Sequence, residues 1–160
     1  MQGKFTQIFS VLIFSFGLSA CGSDSGGGAV PNDGGNNSVT SHNAGTNCMS
    51  SSCHVQGGTG VGVFTTSGTV YKSNGSVQPG ATVVLYLSGT NTIVASMETD
   101  DSGNFYTTQT IDELFTGNGF VSGVDVEVRG PGSTRTMPGV VTEGACSSCH
   151  GVSQGRVVAN

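Results

Sequence analysis

A mainly β chain, folded as an antiparallel β-sandwich of about seven strands, is predicted by three features of these 160 residues. Apolar residues alternate with polar ones at period two through the middle of the chain, as in half-buried strands. Turn-forming clusters, Ser73-Asn74-Gly75, Pro79-Gly80, Gly89-Thr90-Asn91 and Asp100-Asp101-Ser102-Gly103, punctuate that region at short intervals. The composition has 27 glycines, no tryptophan and 9% charged residues, which suits a loop-rich β protein better than a helical bundle. The sandwich is expected over residues 61–130, flanked by two loop-rich segments, 42–60 and 131–160.

Residues 1–20 read as a signal peptide. Lys4 gives a short positive region, and Phe5 to Phe16 form an apolar run too short to span a bilayer comfortably. Leu18-Ser19-Ala20-Cys21 resembles the lipobox of bacterial lipoproteins, which implies that Cys21 becomes the acylated first residue of an exported chain. Gly22 after it favours an outer-membrane or cell-surface position over inner-membrane retention. The competing reading is ordinary secretion with cleavage near Ala20. Residues 21–41 are rich in Gly, Ser and Asn and can bury no core, so they form a flexible tether spanning roughly 25 Å.

The segment 42–60 contains Cys48-Met49-Ser50-Ser51-Ser52-Cys53-His54, and 131–160 contains Cys146-Ser147-Ser148-Cys149-His150. The second is the C-x-x-C-H pattern of covalent c-type haem attachment. Two thiols at that spacing reach the two vinyl groups of one porphyrin, and the adjacent histidine ligates the iron. In the first, C-x4-C-H, two extra small residues must loop out to give the same reach. With Cys21 as lipid anchor, the five cysteines divide into one anchor and two haem pairs, Cys48 with Cys53 and Cys146 with Cys149. The expected cofactors are two covalently bound haem c groups.

His54 and His150 are the expected proximal axial ligands. His42 is the third and last histidine. Its six-residue separation from Cys48 allows a reach of up to about 20 Å, enough to serve its own haem or the neighbouring one; a solvated loop histidine is the plainer alternative. Met137, in an irregular stretch before the second motif, is the candidate second ligand for that iron, against a packing role. His/Met ligation would raise the potential of that site above a bis-His one. Met97 shares a face with Ile93 and Ala95 and reads as core.

Between the motifs, strands are expected at Val61–Thr65, Gly68–Lys72, Val83–Leu87, Thr92–Glu98, Asn104–Thr108 and Val124–Arg129, with a helical turn or irregular edge at Ile111–Phe115. The runs Gly68-Thr69-Val70-Tyr71, Pro79-Gly80-Ala81-Thr82-Val83-Val84-Leu85 and Thr99-Asp100-Asp101-Ser102-Gly103-Asn104-Phe105 resemble the carboxypeptidase regulatory-like (transthyretin-like) domain over residues 66–130. That resemblance implies a binding or spacer module and no catalysis. Together with His42-Asn43-Ala44-Gly45-Thr46-Asn47-Cys48 and Met137-Pro138, the outer segments resemble exported dihaem cytochromes with such a domain between two haem motifs.

From Cys21 onward, four Lys and Arg face ten Asp and Glu, a balance of −6. Such an acidic surface argues against nucleic acid and against direct binding to an anionic membrane, leaving the lipid anchor as the membrane contact. It suits a redox partner with a positive docking patch. The function expected is electron transfer on the cell envelope, to or from another redox protein or an extracellular acceptor, without enzymatic chemistry. Unpaired edge strands would permit self-association. The alternative is a zinc-binding or disulfide-stabilised surface adhesion domain; adjacent Cys-His pairs suit one tetrahedral ion poorly.

Overall fold

The computed structural model describes residues 41–50, 52–114 and 119–160. The signal peptide, Cys21 and all of the tether except Ser41 lie outside them, as does Phe115. The chain forms seven strands, β1 (Thr66–Tyr71), β2 (Thr82–Leu87), β3 (Ile93–Glu98), β4 (Asn104–Thr107), β5 (Val124–Arg129), β6 (Thr134–Thr136) and β7 (Val157–Val158). They make two sheets, one in the order β4-β1-β7 and one in the order β3-β2-β5-β6. Pairing between neighbouring strands is antiparallel except for β1 with β7. This is the mainly β sandwich that the alternation predicts.

The core lies between the sheets. β2 contributes Val83 and Leu85, β3 Ala95 and Met97, β5 Val124 and Val128, and the facing sheet Val70 and Phe105. Within each of β2, β3 and β5 these residues are two or four apart, because alternate side chains of a strand share a face. Met97 is 1% exposed, in agreement with its reading as a core side chain. Ile111 and Leu114, joined by a turn in which the Leu114 N–H donates to the Ile111 carbonyl (3.1 Å), are buried in the same cluster.

Two elements differ from the sequence expectation. Residues 61–65 are not a strand; β1 begins at Thr66. Gly62, at φ +81°, turns the chain out of extended geometry, and the carbonyls of Val61 and Gly62 face the His54 ring instead of a sheet neighbour. Segment 131–160 supplies β6 and β7, which pair with β5 and β1. Both are too short, at three and two residues, to show a period in sequence.

Candidate haem-binding sites

The two cysteine motifs close in the same way despite their different lengths. In the shorter one the His150 N–H donates to the Cys146 carbonyl at 3.0 Å, across a 3-10 turn over Cys146–Ser148. In the longer one the His54 N–H donates to the Cys48 carbonyl, also at 3.0 Å. The added residues are taken up by tight turns, with Ser50 N–H bonded to the Asn47 carbonyl at 3.2 Å and Cys53 N–H to the Ser50 carbonyl at 3.1 Å. Small serines make that detour sterically cheap.

Both motif histidines have their Nδ1 on a backbone carbonyl. His150 Nδ1 lies 2.8 Å from the Gly155 oxygen, and His54 Nδ1 lies 3.0 Å from the Val61 oxygen and 3.3 Å from that of Gly62. A carbonyl only accepts, so Nδ1 carries the hydrogen in these bonds. The neutral ring then keeps a lone pair on Nε2, the tautomer of a metal-ligating histidine oriented by an outer partner.

The His54 ring is held on further sides. It stacks on Phe64 with centroids 3.9 Å apart and planes at 4°, and Phe64 stacks in turn on Tyr106 at 4.5 Å and 14°. A Cβ at Gly60 would come within 2.8 Å of the imidazole. Burial, and then Asp100, push the Tyr106 hydroxyl above its ordinary pKa, so it stays neutral at the end of this stack.

The His42 ring lies beside His54, with centroids 6.3 Å apart and planes at 32°. A turn read in sequence only as a strand connection fixes this approach. Asp100 Oδ1 accepts from the N–H groups of Ser102 and Asn104, each at 2.9 Å, while its Oδ2 accepts from the Ser41 N–H at 3.0 Å. The Asn104 amide donates to the Ser41 hydroxyl (2.8 Å) and to the His42 carbonyl (3.1 Å). Asp100 and Asn104 are buried, which makes this a rigid anchor for the backbone that carries His42.

Strand β1 stands between the two motifs. On one face the Ser67 hydroxyl contacts the Cys48 thiol and Thr69 Oγ1 accepts from the Gly45 N–H at 2.8 Å. On the other, Thr66 Oγ1 lies 3.9 Å from Cys146 Sγ, and a Cβ at Gly68 would come within 3.0 Å of the Cys146 Cβ. Alternation along the strand therefore places Cys48 and Cys146 on opposite sides of β1. Burial raises the pKa of both Cys48 and Cys146, keeping them protonated thiols.

Cys146, Cys149 and His150 line a cavity of about 510 Å³ whose other walls are mostly apolar, including Val83, Phe105, Val126 and Val128. Met137, 42% exposed, lines the same cavity. The volume falls within the roughly 300–1,000 Å³ usual for cofactor sites. Thiols, an imidazole with its Nδ1 on a carbonyl and an apolar slot fit a c-type haem at this site.

Cys48, Cys146 and Cys149 are free thiols. Among the described residues no group of three or more His, Cys, Asp or Glu side chains is placed to hold a metal ion.

Sequence reasoning singled out both cysteine motifs and the three histidines but not Phe64, Tyr106, Asp100 and Asn104, which pack against His54 or anchor His42. For Phe64 and Tyr106 no signal existed, since contact across 42 positions has no local pattern. No known family, curated protein or solved structure matches the chain.

Proposed function

We propose that the chain is an electron-transfer dihaem c-type cytochrome of the bacterial cell envelope, held there by a lipid on Cys21. The observation that carries this reading is the shared Nδ1-to-carbonyl bond of His54 and His150, each directly following a cysteine pair. Adhesion or disulfide chemistry gives no reason for two imidazoles to be oriented alike.

Bound haem would supply reversible one-electron chemistry at each iron. The protein's part is to hold and to tune. Cys48 with Cys53, and Cys146 with Cys149, would each attach one porphyrin; His54 and His150 would ligate from one face. His42 would complete the first site and Met137 the second. A shared strand between the sites favours electron passage within one molecule, and the acidic surface favours a partner with a basic docking patch.

The test is spectroscopic. Protein produced with a c-type maturation system should show two reduction steps, with the higher one at the His150 site. Its oxidised form should show the weak near-infrared sulfur-to-iron band of His/Met ligation. Met137→Leu should abolish that band and lower the upper step, leaving the lower step in place. A band that survives in Met137→Leu, or is absent from the wild type, removes Met137 as ligand; a protein without haem absorption contradicts the function.

A further inference from the structure

The cavity beside the second motif has a charged rim that its apolar walls do not account for. Of four Lys and Arg in the described residues, Arg135 and Arg156 both line it. Arg129 is engaged elsewhere, with Glu127 and the Tyr86 hydroxyl. Arg135 and Arg156 make no ion pair among the described residues. Arg156 is nevertheless positioned, its guanidinium lying 4.5 Å from the centre of the Tyr71 ring. The remaining titratable groups on the cavity wall are Glu143, Cys146, Cys149 and His150. An acidic chain that brings two of its few cations to one apolar slot presents a site for a ligand with an apolar body and an anionic edge.

Resting on the haem reading of this site, we infer that Arg135 and Arg156 bind the two propionate carboxylates of the haem attached at Cys146 and Cys149. Guanidinium is suited to this role because its planar fork can give a carboxylate two parallel hydrogen bonds. Arg135 comes from β6 and Arg156 from the residues just before β7, so the two short strands that close the sheets also carry the cations to the slot. Glu143, the one carboxylate on the wall, must turn its oxygens away from that edge to avoid like-charge repulsion.

Both side chains are exposed, so their replacement should leave the fold intact. Arg135→Gln, Arg156→Gln and the double variant should keep haem on Cys146 and Cys149 by intact mass. Each should lower the reduction potential of the His150 site, because removing a cation beside the porphyrin disfavours the reduced, less positive iron. The potential of the His54 site should stay unchanged. Resonance Raman should show the propionate bending bands shifted in each single variant and further in the double one, with Arg156→Lys recovering part of the shift. A double variant with haem attached and with wild-type potential and bands would overturn the assignment alone. A wild type with no haem on Cys146 and Cys149 would overturn the reading of the site and this assignment with it.

Discussion

Replacing His42 with alanine is expected to leave every covalent attachment in place and to turn one of two low-spin irons high-spin. The geometry behind this is the separation of the His42 and His54 rings, 6.3 Å between centroids. A metal–imidazole bond of about 2 Å, with about 1.1 Å more from nitrogen to ring centre, puts two rings about 6 Å apart across one iron. The observed spacing is compatible with one iron between the two rings. His42 belongs on this account to the Cys48–Cys53 haem, not to its neighbour. The effect should be all or none at that iron, because no other histidine remains to replace the lost ligand. Imidazole added to the variant should restore the low-spin spectrum. An unchanged spectrum in His42→Ala would return this residue to an ordinary loop position.

The second large effect is expected at Gly144. Its carbonyl accepts from the Ser67 N–H at 3.0 Å and from Thr66 Oγ1 at 2.9 Å, which docks the start of the second motif against β1. A Cβ at this position would overlap the Thr65 carbonyl, and backbone cannot swing aside as a flexible side chain can. Gly144→Ala should therefore cost about 3 kcal/mol, at the upper end of what overpacking typically costs. The reading is the urea midpoint at unchanged slope. Because Cys146 follows by two residues, the variant should also attach less haem at the second motif. Gly139→Ala is the control. A Cβ there meets nothing within 4 Å, and its midpoint should stay within about 0.5 kcal/mol of wild type. Equal midpoints for the two variants would mean that the docking of this segment contributes nothing to stability.

Much of the sandwich was legible because β2, β3 and β5 each carry several turns of the two-residue pattern. Val124, Val126 and Val128 alternate with Asp125, Glu127 and Arg129, and β5 has the bounds that pattern predicts. The pattern misleads at Val61 and Val63. They alternate correctly, yet Gly60 and Gly62 bend the chain around an imidazole, and both valines are exposed. Strands as short as β6 and β7 exist only because a longer strand is beside them to pair with, a tertiary cause with no local trace.

The candidate sites divide in the same way. Contiguous chemistry, two cysteines and a histidine, is read directly from the chain. The loop that lets the longer motif close like the shorter one follows from its serines. Contacts made across the fold are another matter. The pairing of His42 with His54 depends on Asp100 and Asn104, about sixty residues away, gripping the backbone at Ser41 and His42. In the sequence those two residues signal only a tight turn.

The electron-transfer reading depends on both motifs carrying covalent haem, so the mass of the intact protein is its most direct test. After export in cells that express a c-type maturation system, the purified chain should be heavier than its polypeptide and lipid by two haems. Cys146→Ala combined with Cys149→Ala should remove one, and Cys48→Ala combined with Cys53→Ala the other. A wild-type mass with no haem would contradict the electron-transfer account altogether. A single addition that is lost with Cys146 and Cys149 would limit the account to the second site.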